Sequence, residues 1–164
     1  MIPIASILVL GFGNPGRADD GLGPAFADFV SALGLARVQA ESMYQLQVED
    51  SLELSLSDIV IFVDATTDPQ AAFHLCPVSA DPSPSFTSHE VSPGGLLAIA
   101  KALHGTAPDA YLLTIRGHEF NCFREGLSAG AAEDLAEAAA HLQPLLEARD
   151  PELFRAAVSA LCHG

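Results

Sequence analysis

Basic residues are scarce in this chain of 164 residues, which has seven Lys and Arg against 21 Asp and Glu and a formal net charge of −14. Because such a charge repels phosphates, we do not expect a nucleic-acid partner. The chain also lacks an apolar run as long as a membrane span, and its first residues lack the positive segment of a signal peptide. These absences predict a cytoplasmic protein that has no membrane partner.

Cysteine is equally scarce. Cys76, Cys122 and Cys162 are odd in number and far apart, and no C-x-x-C pair occurs. Their spacing predicts neither a disulfide framework nor a thiolate zinc site. A reducing compartment is the expectation for such a chain.

Apolar residues, by contrast, are plentiful and make up 49% of the chain. This fraction is typical of a folded protein with a real core, and disorder is not expected. At this length the chain can bury roughly two-thirds of its unfolded surface. We therefore predict a single domain over residues 1–164.

Strands and helices are predicted to alternate along the chain. Buried strands are predicted from three continuous apolar runs, Ser6–Phe12, Asp58–Ala65 and Ala110–Ile115. A short strand is predicted at Arg37–Glu41, and Ala71–Ser79 is predicted at a sheet edge because it contains Pro77. Helices are predicted at Pro24–Leu33, Val48–Leu56, Gly94–Leu103, Ala129–Leu146 and Pro151–Leu161. The order predicts an α/β three-layer sandwich: a mostly parallel twisted sheet, flanked by helices, with one antiparallel edge strand.

The stretch after the first strand has two possible interpretations. The glycines of Gly11–Gly16 form G-x-G-x-x-G behind a strand, which is the pattern of a dinucleotide site. Pro15, however, removes an amide donor, and Asp19 and Asp20 place negative charge where a pyrophosphate would lie. The charges argue against this interpretation, and a nucleotide-binding domain remains the alternative.

Residues suited to catalysis or metal binding follow several predicted strands. Asp20 follows the first strand, Asp64 lies at the end of a central strand, and His89 precedes a helix. Ligands of open α/β sheets gather at the carboxyl ends of the strands. Two carboxylates and an imidazole suit zinc, nickel or manganese and leave positions open for water or substrate. Each residue also has an ordinary interpretation, since strand-end aspartates are often caps and loop histidines are often solvated.

The same segments carry a resemblance to a known family. Gly11–Gly23 (GFGNPGRADDGLG) resembles the first motif of the nickel–iron hydrogenase maturation endopeptidases. Val63–Ala65 resembles the second motif, and Ser88–Pro93 (SHEVSP) with the helix after it resembles the third. Glu41–Leu46 (ESMYQL) is similar to the members that serve bidirectional, cofactor-linked hydrogenases. The resemblance covers nearly the whole chain, with the motifs in the same order.

This resemblance implies an endopeptidase that removes the C-terminal extension of a hydrogenase large-subunit precursor after nickel insertion. It implies that Asp20, Asp64 and His89 contact the nickel of the precursor as a recognition signal, and that Asp20 and Asp64 are catalytic. A divalent metal such as zinc can also bind such a set of ligands in vitro, and the nickel itself is expected to arrive in the precursor. The peptidase, expected to be a monomer, is either aspartic-type or metal-assisted. A non-catalytic accessory protein that binds the precursor without cutting it is a further alternative.

Four other polar residues are expected around the site. We expect Asp19 to support the loop and Glu41 to contact the substrate at the rim. His118 and Glu119 follow the last strand, where they either contact the tail of the precursor or simply belong to the strand exit.

Overall fold

The computed structural model of the protein describes residues 4–81 and 91–162. Within these residues the strands are β1 (Ile7–Phe12), β2 (Val38–Met43), β3 (Ile59–Thr66), β4 (Phe73–Pro77) and β5 (Asp109–Arg116). The helices are α1 (Leu22–Leu33), α2 (Ser51–Ser55), α3 (Pro93–His104), α4 (Ala129–Ala148) and α5 (Pro151–Leu161). Short 3-10 turns at Ala18–Gly21 and Val48–Asp50 lead into α1 and α2.

The strands form one sheet in the order β2-β1-β3-β5-β4. β1 pairs in parallel with β2 and β3, and β3 pairs in parallel with β5, whereas β4 is antiparallel to β5. Pro77 is the last residue of β4, an edge strand, where its missing N–H costs no ladder hydrogen bond. The predicted mostly parallel sheet with one antiparallel edge strand is confirmed.

Alternate residues of the strands face two separate cores. On one face, side chains such as Val9 pack with Phe26 of α1 and with apolar residues of α4 and α5. On the other face, Leu10 packs with Leu54 of α2 and Leu96 of α3. Each fully buried side chain of this size contributes about 1.5–3 kcal/mol to folding. The two cores confirm the predicted three-layer sandwich.

The predicted elements are all present, with small shifts at their ends. α1 begins at Leu22, two residues before the predicted start, because the preceding 3-10 turn continues directly into it. Gly34 and Gly105 end α1 and α3 in the left-handed conformation. None of the helices in the described part of the chain is long and apolar enough to cross a membrane.

The cysteine pattern did not predict the covalent link in the structure. Cys76 on β4 and Cys162 after α5 form a disulfide with Cα atoms 4.8 Å apart, and Cys122 is free. The paired residues are 86 positions apart, so no local spacing indicates the pair. They meet because α5 packs beside the edge strand β4.

Candidate active site

The candidate site lies at the carboxyl ends of β1 and β3. β1 continues through α1 to β2 on one side, whereas β3 leads to β4 and β5 on the other side. Such a switch point is where open α/β sheets form a ligand crevice. The start of α1 packs directly on the backbone of β1 and β3, since a Cβ on Gly23 would collide with the carbonyl oxygens of Phe12 and Val63. Only glycine permits this close approach.

The glycine-rich turn between β1 and α1 uses its own amides. The N–H of Gly13 donates to the carbonyl of Met43 (3.0 Å). The N–H of Asn14 donates to Oδ2 of Asp20 (2.8 Å), and the N–H of Gly16 donates to Oδ1 of Asn14 (2.9 Å). A phosphate cradle requires such N–H groups to be free. The turn therefore positions Asp20, and its geometry disfavours the nucleotide interpretation.

The structure brings two of the three predicted site residues together. Asp20 and Asp64 are both partly buried at the crevice, and Asp20 lies close enough for its charge to act on the carboxyl of Asp64. Burial raises the pKa of Asp64 to about 6; the hydrogen bond from the Ala65 N–H (2.8 Å) opposes this shift, and the charge of Asp20 adds to it. Two carboxylates in one crevice repel each other, and a cation or a shared proton relieves that repulsion.

The third predicted residue, His89, lies outside the described residues, so its position beside the two aspartates stays a prediction. In residues 4–81 and 91–162, no group of three or more His, Cys, Asp and Glu could hold a metal ion. Asp20 and Asp64 each have one carboxylate oxygen to which no described residue donates a hydrogen bond. Carboxylate oxygens are suitable ligands for a divalent cation. The carboxylates of Asp20 and Asp64 could therefore supply two ligands to a metal ion that takes its remaining ligands from elsewhere.

Asp19, the neighbour of Asp20, is fully buried, and its carboxylate points toward segment 118–128. Its carboxylate accepts hydrogen bonds from the N–H groups of His118 (2.7 Å), Glu119 (2.8 Å) and Ser128 (2.8 Å), and from Oγ of Ser128 (2.7 Å). Burial alone would raise the pKa of Asp19, but these hydrogen bonds outweigh burial and lower it. Asp19 thus joins segment 118–128 to the turn before α1, in agreement with the expected supporting role.

The sequence did not reveal the ion-pair cluster beside the site. Asp134 of α4 accepts two hydrogen bonds from Arg116 (2.9 and 3.0 Å) and one contact from Nε2 of His118 (2.9 Å). The His118 ring also packs against Gly130, where a Cβ would approach it to 2.9 Å. His118 is therefore a structural contact to α4. Asp134 occupies one of the buried positions of α4. An acidic residue at a buried helix position needs a polar or charged partner, and this was the sequence signal for the cluster.

The other two polar residues are also accounted for. The carboxylate of Glu119 is paired with Arg124 (2.6 Å) at the surface. Glu41 lies two residues before the end of β2, and its charge acts on the carboxyl of Glu53 on α2. The structure thus places Glu41 near α2, and its contact with the substrate stays a prediction. Strand position alone did not show which neighbour this side chain faces.

Asp64→Asn is expected to raise the melting temperature at pH 7.5 and to leave it nearly unchanged near pH 4. Folding raises the pKa of Asp64, so its contribution to stability falls as the pH rises from about 4 to about 6. Asparagine carries no charge and can still accept from the Ala65 N–H. After a discount for partial exposure, the variant's gain in unfolding free energy at pH 7.5 is about 1–2 kcal/mol, which raises its melting temperature by about 3–6 °C. Scanning fluorimetry at both pH values measures it, and an equal gain at both would contradict this account.

Comparison with known proteins identifies the fold. No protein-family model matches the chain, and no curated protein sequence matches it. Among solved structures, it is similar to the NiFe hydrogenase maturation protease HycI from Thermococcus kodakarensis, with a TM-score of 0.68 and 19% identity over 87% of this chain and 93% of that chain. It is also similar to the hydrogenase 2 maturation peptidase from a Thaumarchaeota archaeon, with a TM-score of 0.61 and 23% identity over 85% and 97%. The endopeptidase HybD from Escherichia coli gives a TM-score of 0.56 and 19% identity over 84% and 92%. The chain therefore has the fold of the hydrogenase maturation proteases.

Proposed function

We propose that this protein is an endopeptidase that removes the C-terminal extension of a NiFe hydrogenase large-subunit precursor once nickel has been inserted. The observation that carries the proposal is the pair of Asp20 and Asp64 in the crevice. Its support is the fold, which solved maturation proteases share. The ordered sequence motifs that contain both aspartates point to the same activity.

In this proposal nickel belongs to the substrate. Asp20 and Asp64 offer it the carboxylate oxygens to which no described residue donates, and His89 supplies an imidazole, so the loaded precursor is held with its tail at the crevice. The same carboxylates are proposed to assist the attack of a water molecule on the peptide bond. That attack is either aspartic-type, in which carboxylates move the proton, or metal-assisted.

Processing of a purified precursor tests this function. Incubation with the protein is expected to shorten the nickel-loaded precursor by one C-terminal peptide, which intact-mass spectrometry detects. A stable complex with no loss of mass would instead indicate an accessory protein that only binds. Stabilisation by NAD or ATP in a thermal-shift assay, without any effect on the precursor, would indicate the nucleotide-binding alternative.

We also propose that the protein works as a monomer in the cytoplasm.

In a reducing compartment Cys76 and Cys162 are expected to be thiols, close enough to form the disulfide on oxidation. Thiol titration of the unfolded chain should count all three cysteines under reducing conditions and only Cys122 after oxidation. Because a disulfide restricts the unfolded chain, the oxidised form should melt at a higher temperature. Three thiols after oxidation would contradict the pairing.

A further inference from the structure

A row of apolar side chains is exposed on α2 and the 3-10 turn before it. Leu54 faces the core and is fully buried. Val48, Leu52 and Leu56 follow one another at intervals of four residues, the spacing of one helix face, and are 42%, 53% and 75% exposed. Tyr44, which is 73% exposed, precedes them in the loop after β2. We call these four exposed residues the α2 stripe. Contiguous exposed apolar side chains are typical of an interaction surface.

The α2 stripe lies in strongly acidic surroundings. Glu49, Asp50 and Glu53 alternate with its residues along the chain. No Lys or Arg occurs anywhere from Val38 to Ala100 in the sequence. A partner that covers the stripe must therefore combine apolar side chains with positive charge, since like charges across an interface are strongly unfavourable.

A groove beside the stripe is lined by a partly buried carboxyl group. This cavity of about 360 Å³ lies between the amino ends of β1 and β2 and the end of α2, and Glu53 and Leu56 are among its lining residues. Arg37 also lines the groove, but its guanidinium group is already in an ion pair with Asp58, at 3.9 Å. Oε2 of Glu53 is buried without a hydrogen-bond partner among the described residues. Burial, together with the charges of Glu41 and Asp50, raises the pKa of Glu53. A Lys or Arg side chain entering the groove would pair with this group.

We propose that the α2 stripe and this groove dock an apolar segment of the large-subunit precursor that carries Lys or Arg; this inference rests on the proposed function. The stripe begins next to the crevice, because Met43 at the end of β2 accepts a hydrogen bond from Gly13 of the site turn. From Val48 to Leu56 it extends about 13 Å along the 3-10 turn and α2. The body of the precursor thus binds at the stripe while its tail reaches Asp20 and Asp64.

The double variant Leu52→Ser plus Leu56→Ser tests the docking surface. Its KM for the nickel-loaded precursor is expected to rise about tenfold or more, with kcat within about twofold, because anchors are lost outside the chemistry. The matched control is Leu103→Ser plus Leu153→Ser, which changes leucines that are 65% and 45% exposed on α3 and α5. The control should behave like the wild type. An unchanged KM in the stripe variant would overturn the proposal.

A charge variant gives a second test that does not remove apolar area. Glu49→Lys, at an exposed position, places a positive charge beside the partner's Lys or Arg and should raise KM by about threefold or more. Melting temperatures close to the wild type establish that the variants are folded. A KM equal to that of the wild type would contradict the predicted charge of the partner.

Direct binding separates this inference from the proposed function. Biolayer interferometry with the nickel-loaded precursor gives Kd for the wild type and for the double variant. If the wild type binds without cutting and the double variant binds about tenfold more weakly, docking stands and the peptidase proposal fails. If the wild type cuts and the two proteins have equal Kd, the peptidase proposal stands and docking fails. If the wild type neither binds nor cuts, both fail.

Discussion

Asp20→Asn and Asp64→Asn are each expected to leave the nickel-loaded precursor uncut, with the rate of tail removal reduced by about a thousandfold or more. Asparagine keeps the size of the side chain, but it loses the charge that attracts a cation and cannot accept a proton from water. Intact-mass spectrometry of the precursor over a time course measures the loss. Asp28→Asn, at an exposed position of α1, is the matched control and should process the precursor normally.

Stability measurements distinguish a lost function from a lost fold. Because Asp64→Asn is expected to melt at a higher temperature than the wild type at pH 7.5, its inactivity would not result from unfolding. A residue that lowers stability and is needed for activity is typical of a functional site. Full processing by both variants would show that Asp20 and Asp64 are not the site.

Asp19→Ala is expected to lower the free energy of unfolding by about 3–5 kcal/mol, because each buried donor left without its acceptor costs about 1–3 kcal/mol. The substitution leaves the N–H groups of His118, Glu119 and Ser128 without their carboxylate and releases segment 118–128 from the turn before α1. Urea denaturation at pH 7 measures this loss. Asp28→Ala, which removes an exposed carboxylate, should cost less than about 0.5 kcal/mol.

The pH dependence of this effect follows from the lowered pKa of Asp19. A carboxyl group whose pKa is lowered by folding stabilises the protein above its unfolded pKa, and this contribution is lost as the pH falls through the folded value. The advantage of the wild type over Asp19→Ala should therefore be constant above about pH 5 and shrink below about pH 4. A loss of less than about 1 kcal/mol at pH 7 would show that the buried carboxylate does not hold the segment.

The sheet and the aspartate pair were predictable because they depend on strong local patterns. Continuous apolar runs identified β1, β3 and β5, and Pro77 placed β4 at an edge. Parallel strands put their carboxyl ends on one side, so residues following β1 and ending β3 were expected to meet. The structure brings Asp20 and Asp64 together there.

The rest depends on contacts between distant parts of the chain. Asp19 binds backbone groups about 100 residues away, the disulfide joins residues 86 positions apart, and the Asp134 cluster requires α4 to pack on β5. No local spacing encodes such pairs. The side-chain direction of Glu41 toward α2 likewise follows from packing. Sequence patterns therefore located the crevice but not the interactions that hold it in place.

Intact-mass spectrometry of two matched precursor samples, one loaded with nickel and one free of it, tests the central claim most directly. Both are incubated with the wild-type protein and with Asp20→Asn. The account predicts loss of one C-terminal peptide from the loaded precursor with the wild type, and no loss in the other three incubations. Equal cleavage of both precursors by the wild type, or cleavage by Asp20→Asn, would contradict it.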